Sequence, residues 1–160
     1  MFERIMVAYD GSDCADRALA AGVKLLDCYN ADLAVVMVAG LPDYAGTISE
    51  VDEIQSEARA FFDQKITKVK ELAGDQMERV STHLLFGHTG DQLIRFARER
   101  NMDLVVIGAR GFSRLQRMFL GSVSQFVVKH AYCPVLVIKD PCQAEHPSPH
   151  DSAKATAQYW

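Results

Sequence analysis

Hydrophobic and polar positions along the chain follow two alternating patterns. Short, nearly continuous apolar runs, as in strands buried on both faces, are separated by longer segments in which apolar residues recur every three or four positions. The runs predict strands at residues 4–9, 32–38, 80–86, 103–107 and 134–139. The longer segments predict helices at residues 13–29, 50–72, 91–100 and 122–131. Because parallel strands need crossover connections, this alternation predicts an α/β fold, a parallel sheet with helices on both faces.

The second predicted helix shows the helical period most clearly. Its apolar positions fall mostly three or four apart, with charged residues between them: Val51, Ile54, Ala58, Phe61, Ile66 and Val69. This stripe is typical of a helix that packs on a core, so we expect it to face the sheet. The preceding connection, residues 39–49, is long for this fold class. It could be a lid over a ligand or a plain crossover.

Length and composition indicate one globular domain. The chain has 160 residues, of which 49% are hydrophobic and 24% charged, and its formal net charge is -4. The acidic balance argues against a general nucleic-acid binder. No apolar run approaches the roughly 20 residues that span a bilayer, so we expect a cytoplasmic protein without membrane insertion. We assign residues 1–139 to the domain and expect the proline-containing, mostly polar residues 140–160 to be a disordered tail.

The segment after the fourth predicted strand is the strongest candidate for chemistry. The buried-strand pattern runs into residues 108–111, which begin and end with glycine, and Gly121-Ser122 follows after nine further residues. Glycines let backbone N–H groups approach a phosphate closely, and the N-terminus of the next helix would point at the same place. Arg110, Arg114 and Arg117 add positive charge that suits phosphate, although the last two could equally be solvated surface charges. This pattern favours nucleotide binding.

The first predicted strand ends in a second polar turn, Asp10-Gly11-Ser12. Asp10 could accept hydrogen bonds from ribose hydroxyls or hold a water on a phosphate-bound cation. Alternatively, Asp10, Ser12 or Asp13 could simply cap the first helix. If the first and fourth strands are neighbours, Asp10 and Gly108 face one crevice at the carboxyl ends of the strands.

Common catalytic motifs are missing from the sequence. It lacks the P-loop, the G-x-G-x-x-G dinucleotide fingerprint and the G-x-S-x-G nucleophile elbow, and its four cysteines show no metal-ligand spacing. We interpret His83 and His88 as surface or turn residues, and residues 89–91 as the capped start of the third helix. With no dedicated base, the residues support at most a weak ATPase.

Three separated segments resemble the universal stress protein family in order and spacing. They are Asp10-Gly11-Ser12, the G-x2-G-x9-G-S pattern from Gly108 to Ser122, and the apolar segment at residues 133–138. The resemblance covers about residues 2–139, and the glycine pattern is the one that marks the ATP-binding branch. It implies an open five-stranded parallel sheet of the adenine nucleotide alpha hydrolase-like type, in the order 3-2-1-4-5. Arg110 and the tail depart from the simplest family pattern without breaking the glycine spacing.

The resemblance also implies a site for ATP, or for ADP or AMP, together with Mg²⁺. The adenosine would contact the ends of the first two strands, and the phosphates would lie on the glycine segments. The implied nucleotide-binding residues are Ala8, Asp10, Val38, Gly108, Ala109, Arg110, Gly111, Phe112, Ser113, Arg114, Gly121, Ser122, Val123 and Ser124.

Family members commonly form homodimers, which implies that the last strand pairs with its twofold mate through Val135, Leu136, Val137 and Ile138. A strand edge covered by the tail is the alternative. The implied function is a regulatory stress-response protein whose nucleotide state modulates an unidentified protein partner. One rival is a nucleotide-independent interaction module with a vestigial pocket. Another is an adenylyl-transfer or pyrophosphatase enzyme, which should carry a catalytic motif of its own.

Overall fold

Five parallel strands form the centre of the computed structural model, which describes residues 1–40, 48–111 and 120–139. The strands are β1 (Arg4–Ala8), β2 (Asp32–Ala39), β3 (Val80–Phe86), β4 (Leu104–Gly108) and β5 (Val135–Ile138). The helices are α1 (Asp13–Tyr29), α2 (Ile48–Ala73), α3 (Thr89–Glu99) and α4 (Ser122–His130), and a 3-10 helix, Gly74–Arg79, follows α2. The predicted boundaries agree within two residues, whereas the 3-10 helix was not predicted.

The strand order is β3-β2-β1-β4-β5, so both the fold class and the predicted topology are confirmed. The chain builds β1 to β3 outward in one direction and then returns to place β4 on the other side of β1. In this register Ala8 pairs with Ile107. The carboxyl ends of β1 and β4 are therefore adjacent at the point where the strand order reverses, which is where open parallel sheets bind ligands.

Both faces of the sheet are buried, which explains the nearly continuous apolar runs of the strands. On one face, Ile5 and Val7 pack with Leu19 of α1 and Val69 of α2. On the other face, Met6 and its neighbours pack with residues of α3 and α4, among them Leu93, Phe96 and Val127. The side of the sheet that carries α3 and α4 also forms the floor of the site described below.

Helix α1 lies close to the sheet because small residues face it. A Cβ built on Gly22 would come within 2.5 Å of Val7 Cγ2, so a larger residue would push the helix away from β1. The helix begins at a side-chain cap, since Ser12 Oγ accepts a hydrogen bond from Ala15 N–H at 3.3 Å. It ends at Asn30, which adopts the left-handed conformation at φ 52°.

One residue of the apolar stripe predicted for helix α2 was assigned wrongly. Phe61 was expected to face the core, but 39% of it is exposed, and the neighbouring Phe62 packs against the core instead. Phe62 lies seven residues, or about two helical turns, before the fully buried Val69, so the two share one side of the helix. Phe61 is rotated by about 100° from that side. Its ring contacts Lys65, with 5.3 Å between Nζ and the ring centroid.

Some expectations fall on parts of the chain that the structure does not describe. The loop that could act as a lid lies mostly in residues 41–47, and the predicted tail is residues 140–160. Within the described ranges, no helix has the length and apolar composition needed to cross a bilayer.

Candidate functional site

A cavity of about 490 Å³ opens at the carboxyl ends of β1, β2 and β4, between the first turns of α3 and α4. This volume is in the range of small-molecule sites. The predicted site residues that line it are Ala8, Asp10, Val38, Gly108, Arg110, Gly111, Gly121, Ser122, Val123 and Ser124. The two predicted segments, which lie almost a hundred residues apart in sequence, therefore meet in one place.

Asp10 is held at this cavity by its own turn. Its Oδ1 accepts a hydrogen bond from Ser12 N–H at 2.9 Å, while Ser12 itself caps α1. The turn requires glycine between them, because Gly11 has φ +84°. Of the three residues that could cap the first helix, Ser12 is therefore the one that does so. The second carboxylate oxygen, Oδ2, lies against Gly111, where a built Cβ would come within 2.5 Å of it.

The residues after β4 are fixed by hydrogen bonds to neighbouring elements. Ala109 donates its N–H to Ile138 O at 2.7 Å and accepts from Gly121 N–H at 2.8 Å. Ser124 is buried, and its hydroxyl donates to Gly108 O at 2.8 Å. Ala109, predicted as a site residue, does not line the cavity, and its backbone groups instead join the two glycine segments to β5.

Gly108 allows β4 to approach α1. A Cβ at Gly108 would lie 2.9 Å from the backbone carbonyl carbon of Cys14, which cannot move without shifting the helix. The first glycine of the pattern is therefore required by packing at the base of the cavity. Gly111 and Gly121, like Gly108, line the cavity.

The N-terminus of α4 faces the cavity without a side-chain cap. Its N-cap residue is Gly121, and the first amide that bonds back to the cap is Gln125 N–H, which donates to Gly121 O at 2.9 Å. Among the described residues, no acceptor bonds the amides of Ser122, Val123 and Ser124. Helix N-termini whose N–H groups have no intrahelical acceptor are an arrangement that commonly binds anions.

The structure adds cavity residues that the sequence patterns did not indicate. They are Tyr9, Ala15, Val36, Thr89, Leu93, Ile107 and Leu120. Most are apolar and would form the floor and side walls. The signal that could have found Thr89 and Leu93 is their position one turn apart on the helix that follows β3, at the same edge of the sheet.

Tyr9 lines the cavity, and its hydroxyl already donates a hydrogen bond within the protein. The hydroxyl donates to Asp16 Oδ1 at 2.7 Å, and burial together with that carboxylate raises the pKa of Tyr9 well above its usual value. The ring therefore offers an apolar surface to a ligand and stays protonated at neutral pH.

Neither histidine near β3 lines the cavity. His83 lies within β3 with its ring 4.8 Å from that of Phe96, and burial and the Arg100 charge lower its pKa. His88 is exposed and precedes α3 as its N-cap residue, but its side chain makes no cap hydrogen bond. Its Nδ1 lies 3.1 Å from Asp91 Oδ2 instead. The expected side-chain cap at residues 89–91 is thus absent from this helix start, which the structure describes.

The remaining predicted site residues, Phe112, Ser113 and Arg114, lie outside the described residues, as does Arg117. In the part of the chain that is described, no group of three or more His, Cys, Asp or Glu side chains is arranged to hold a metal ion.

This topology, with a cavity at the strand-order reversal and an uncapped helix start facing it, defines a doubly wound α/β protein with a small-molecule type of site. The chain belongs to the universal stress protein family, whose family model matches residues 1–139. The family resemblance inferred from the sequence is thereby confirmed.

Individual relatives agree with this assignment. The chain is 31% identical to universal stress protein MJ0531 of Methanocaldococcus jannaschii, over 88% of this chain and 84% of that protein. Its structure is similar to that of universal stress protein UspA from Lactobacillus plantarum, with a TM-score of 0.76, 26% identity and coverage of 86% and 97%. It is also similar to a universal stress protein from Archaeoglobus fulgidus solved in complex with dAMP, with a TM-score of 0.63, 27% identity and coverage of 86% and 98%.

Proposed function

We propose that this protein is a cytoplasmic ATP-binding regulator whose bound nucleotide changes its affinity for a protein partner. The observation that carries the proposal is the start of α4, which has no side-chain cap and whose first amides have no acceptor among the described residues, facing a cavity large enough for a small ligand. An anionic group is the natural occupant of such a helix end. The glycines on the cavity wall leave room for it to approach the backbone.

The two ends of the cavity suit the two ends of an adenine nucleotide. The side chains of Val36, Val38, Leu93 and Ile107 provide an apolar surface on the sheet side, which fits a planar base. The amides of residues 122–124 and the Arg110 guanidinium provide donors for phosphate oxygens. The dAMP complex of the Archaeoglobus fulgidus relative supports an adenine nucleotide as the ligand class.

The donor set also fits magnesium bound with the nucleotide. Asp10 is the only carboxylate in the cavity lining among the described residues. Mg²⁺ is commonly held by one or two carboxylates, substrate phosphates and water, so Asp10 would hold the ion directly or through a water. The chemistry that the ion supplies is neutralisation of phosphate charge.

Regulation accounts for the site better than catalysis does. The described lining contains no histidine and no carboxylate besides Asp10, so it offers no separate base to activate water. Hydrolysis, if measured, would be slow. A nucleotide-independent interaction module is the second candidate, and it would not require free helix amides at the cavity.

A homodimer through β5 is part of this proposal. The strand is at the edge of the sheet, and its Leu136 is 38% exposed. An exposed apolar strand edge favours pairing with another strand, and a second copy would cover it. Sedimentation equilibrium should give twice the chain mass, and a monomer at micromolar concentration would contradict this part.

The first test is to denature the protein as purified from cells and identify any released nucleotide by mass spectrometry. We expect ATP or ADP in near-equal ratio to protein, or an empty site that binds ATP with Mg²⁺ in calorimetric titration. Chromatography after incubation with ATP distinguishes a binder from an enzyme. A protein that releases no nucleotide and fails to bind millimolar ATP with Mg²⁺ would favour the interaction module.

A further inference from the structure

Lys65 of helix α2 brings a cation to the Asp10 turn at the edge of the candidate site, although it does not itself line the cavity. A Cβ built on Gly11 would lie 2.7 Å from Lys65 Cε and 3.3 Å from its Nζ. Gly11 immediately follows Asp10, and its neighbour Ser12 caps α1. The half-buried Lys65 side chain therefore crosses the turn that positions Asp10.

The Lys65 ammonium is not held in an ion pair by a described carboxylate. No carboxylate of the described residues forms an ion pair with Nζ within 4.0 Å, and the contact that the cation makes is with the ring of Phe61. It also lies beside the N-terminus of α1, where the helix dipole disfavours positive charge. Asp13 and Asp16 in the first turn offset this effect through their charge, but neither forms an ion pair with Nζ among the described residues. An anion bound at this turn would be stabilised by Lys65.

The charge of the cavity indicates which anion needs this residue. Within the described lining, Asp10 and Arg110 are the only charged side chains, and their charges cancel. A monophosphate at the start of α4 is served by the helix amides. A longer phosphate chain carries about two further negative charges, and where it extends toward Asp10 a protein cation would stabilise it in addition to Mg²⁺.

We propose that Lys65 Nζ binds the β- or γ-phosphate of a nucleotide in this cavity and so favours ADP and ATP over AMP. Lys65 is a specificity-determining residue that the glycine pattern does not include. Its ammonium reaches the phosphate chain from the α2 side of the Asp10 turn, whereas the α4 amides hold the phosphate nearest the nucleoside. This inference rests on the proposed nucleotide site.

The test is calorimetric titration of ATP, ADP and AMP, each with Mg²⁺, into the full chain and three variants. Lys65→Met removes the charge and keeps most of the aliphatic stem, Lys65→Arg keeps the charge, and Lys68→Met removes an equal charge from an exposed position of the same helix. We expect Lys65→Met to weaken ATP binding by about tenfold, as for loss of one charge-assisted hydrogen bond. AMP binding should change by less than about twofold, and Lys65→Arg should restore most of the preference.

Each outcome separates this inference from the proposed function. A Lys65→Met variant that keeps the ATP to AMP affinity ratio of the unmodified protein, or that weakens both nucleotides equally, overturns the role of Lys65 and leaves the nucleotide site in place. If Lys68→Met also loses the preference for ATP over AMP, the effect of Lys65→Met reflects only the overall charge of the protein, and the specific role of Lys65 is overturned. An unmodified protein that binds none of the three nucleotides overturns both proposals. Thermal unfolding of each variant verifies that the fold is retained.

Discussion

Replacing Gly111 with alanine tests whether the Asp10 turn and the residues that follow β4 form one site. The backbone of Gly111 is outside the left-handed region, so the effect of a methyl group is steric. The built Cβ lies 2.5 Å from Asp10 Oδ2, and real Cβ contacts are essentially never shorter than 3.0 Å, so the carboxylate must move by about half an ångström. Its other oxygen is fixed by Ser12 N–H at 2.9 Å. Keeping that bond displaces Oδ2 from its position beside Gly111 and changes the carboxylate geometry that Asp10 presents to a ligand.

Breaking the same bond instead would cost about 1.5 kcal/mol, the lower end for hydrogen bonds to charged groups, because Asp10 is only partly buried. By either route we expect ATP to bind Gly111→Ala about tenfold more weakly in calorimetric titration. The free energy of unfolding should fall by no more than about 1.5 kcal/mol. Gly40→Ala is the matched control, since a Cβ at Gly40 meets no atom of the described residues within 4 Å. An ATP affinity within twofold of the unmodified protein would refute this account of the site.

Three further predictions concern the frame that supports the site. Ser124→Ala removes the buried hydroxyl that donates to Gly108 O, and we expect unfolding to cost about 1–2 kcal/mol less, measured by urea denaturation. Gly108→Ala should destabilise by about 1–3 kcal/mol and lower the melting temperature, because its Cβ would meet the Cys14 backbone. Burial and the Arg100 charge lower the pKa of His83 in the folded state, so the unfolded state binds more protons between that pKa and about 6.5. Stability should therefore fall as pH decreases below about 6.5, and His83→Gln should reduce this dependence.

These three predictions have separate controls. Ser122→Ala is the control for Ser124→Ala, because Ser122 lines the cavity and its hydroxyl has no hydrogen bond to a described residue. We expect its urea midpoint to be unchanged. An equal loss of stability in both serine variants would argue against the Ser124 hydrogen bond as the cause. Gly40→Ala serves again beside Gly108→Ala, whose unchanged melting temperature would show that α1 can move away. A pH dependence that persists undiminished in His83→Gln would assign it to other groups.

The sequence predicted the fold because each element carries its own local signal. The continuous apolar run of β4 reflects a strand that is buried on both faces, and the three-to-four spacing of α2 reflects a helix that is buried on one side. The element types therefore follow from periodicity alone. The details of α2 required the structure. Phe61 and Phe62 are adjacent aromatic residues, and only the packing of α2 on the sheet decides which of them is buried.

The candidate site, like the fold, was predicted in part from the sequence and depended in part on the tertiary structure. The sequence by itself determined the two polar turns, at Asp10 and at the glycine segments, because backbone conformation and close approach demand particular residue types there. Only the tertiary structure decided that Ala109 supports the cavity without lining it and that Lys65 reaches the Asp10 turn from another helix. A lysine on a helix has no local signature of what lies beside its ammonium. That depends on how helices and strands distant in sequence pack against one another.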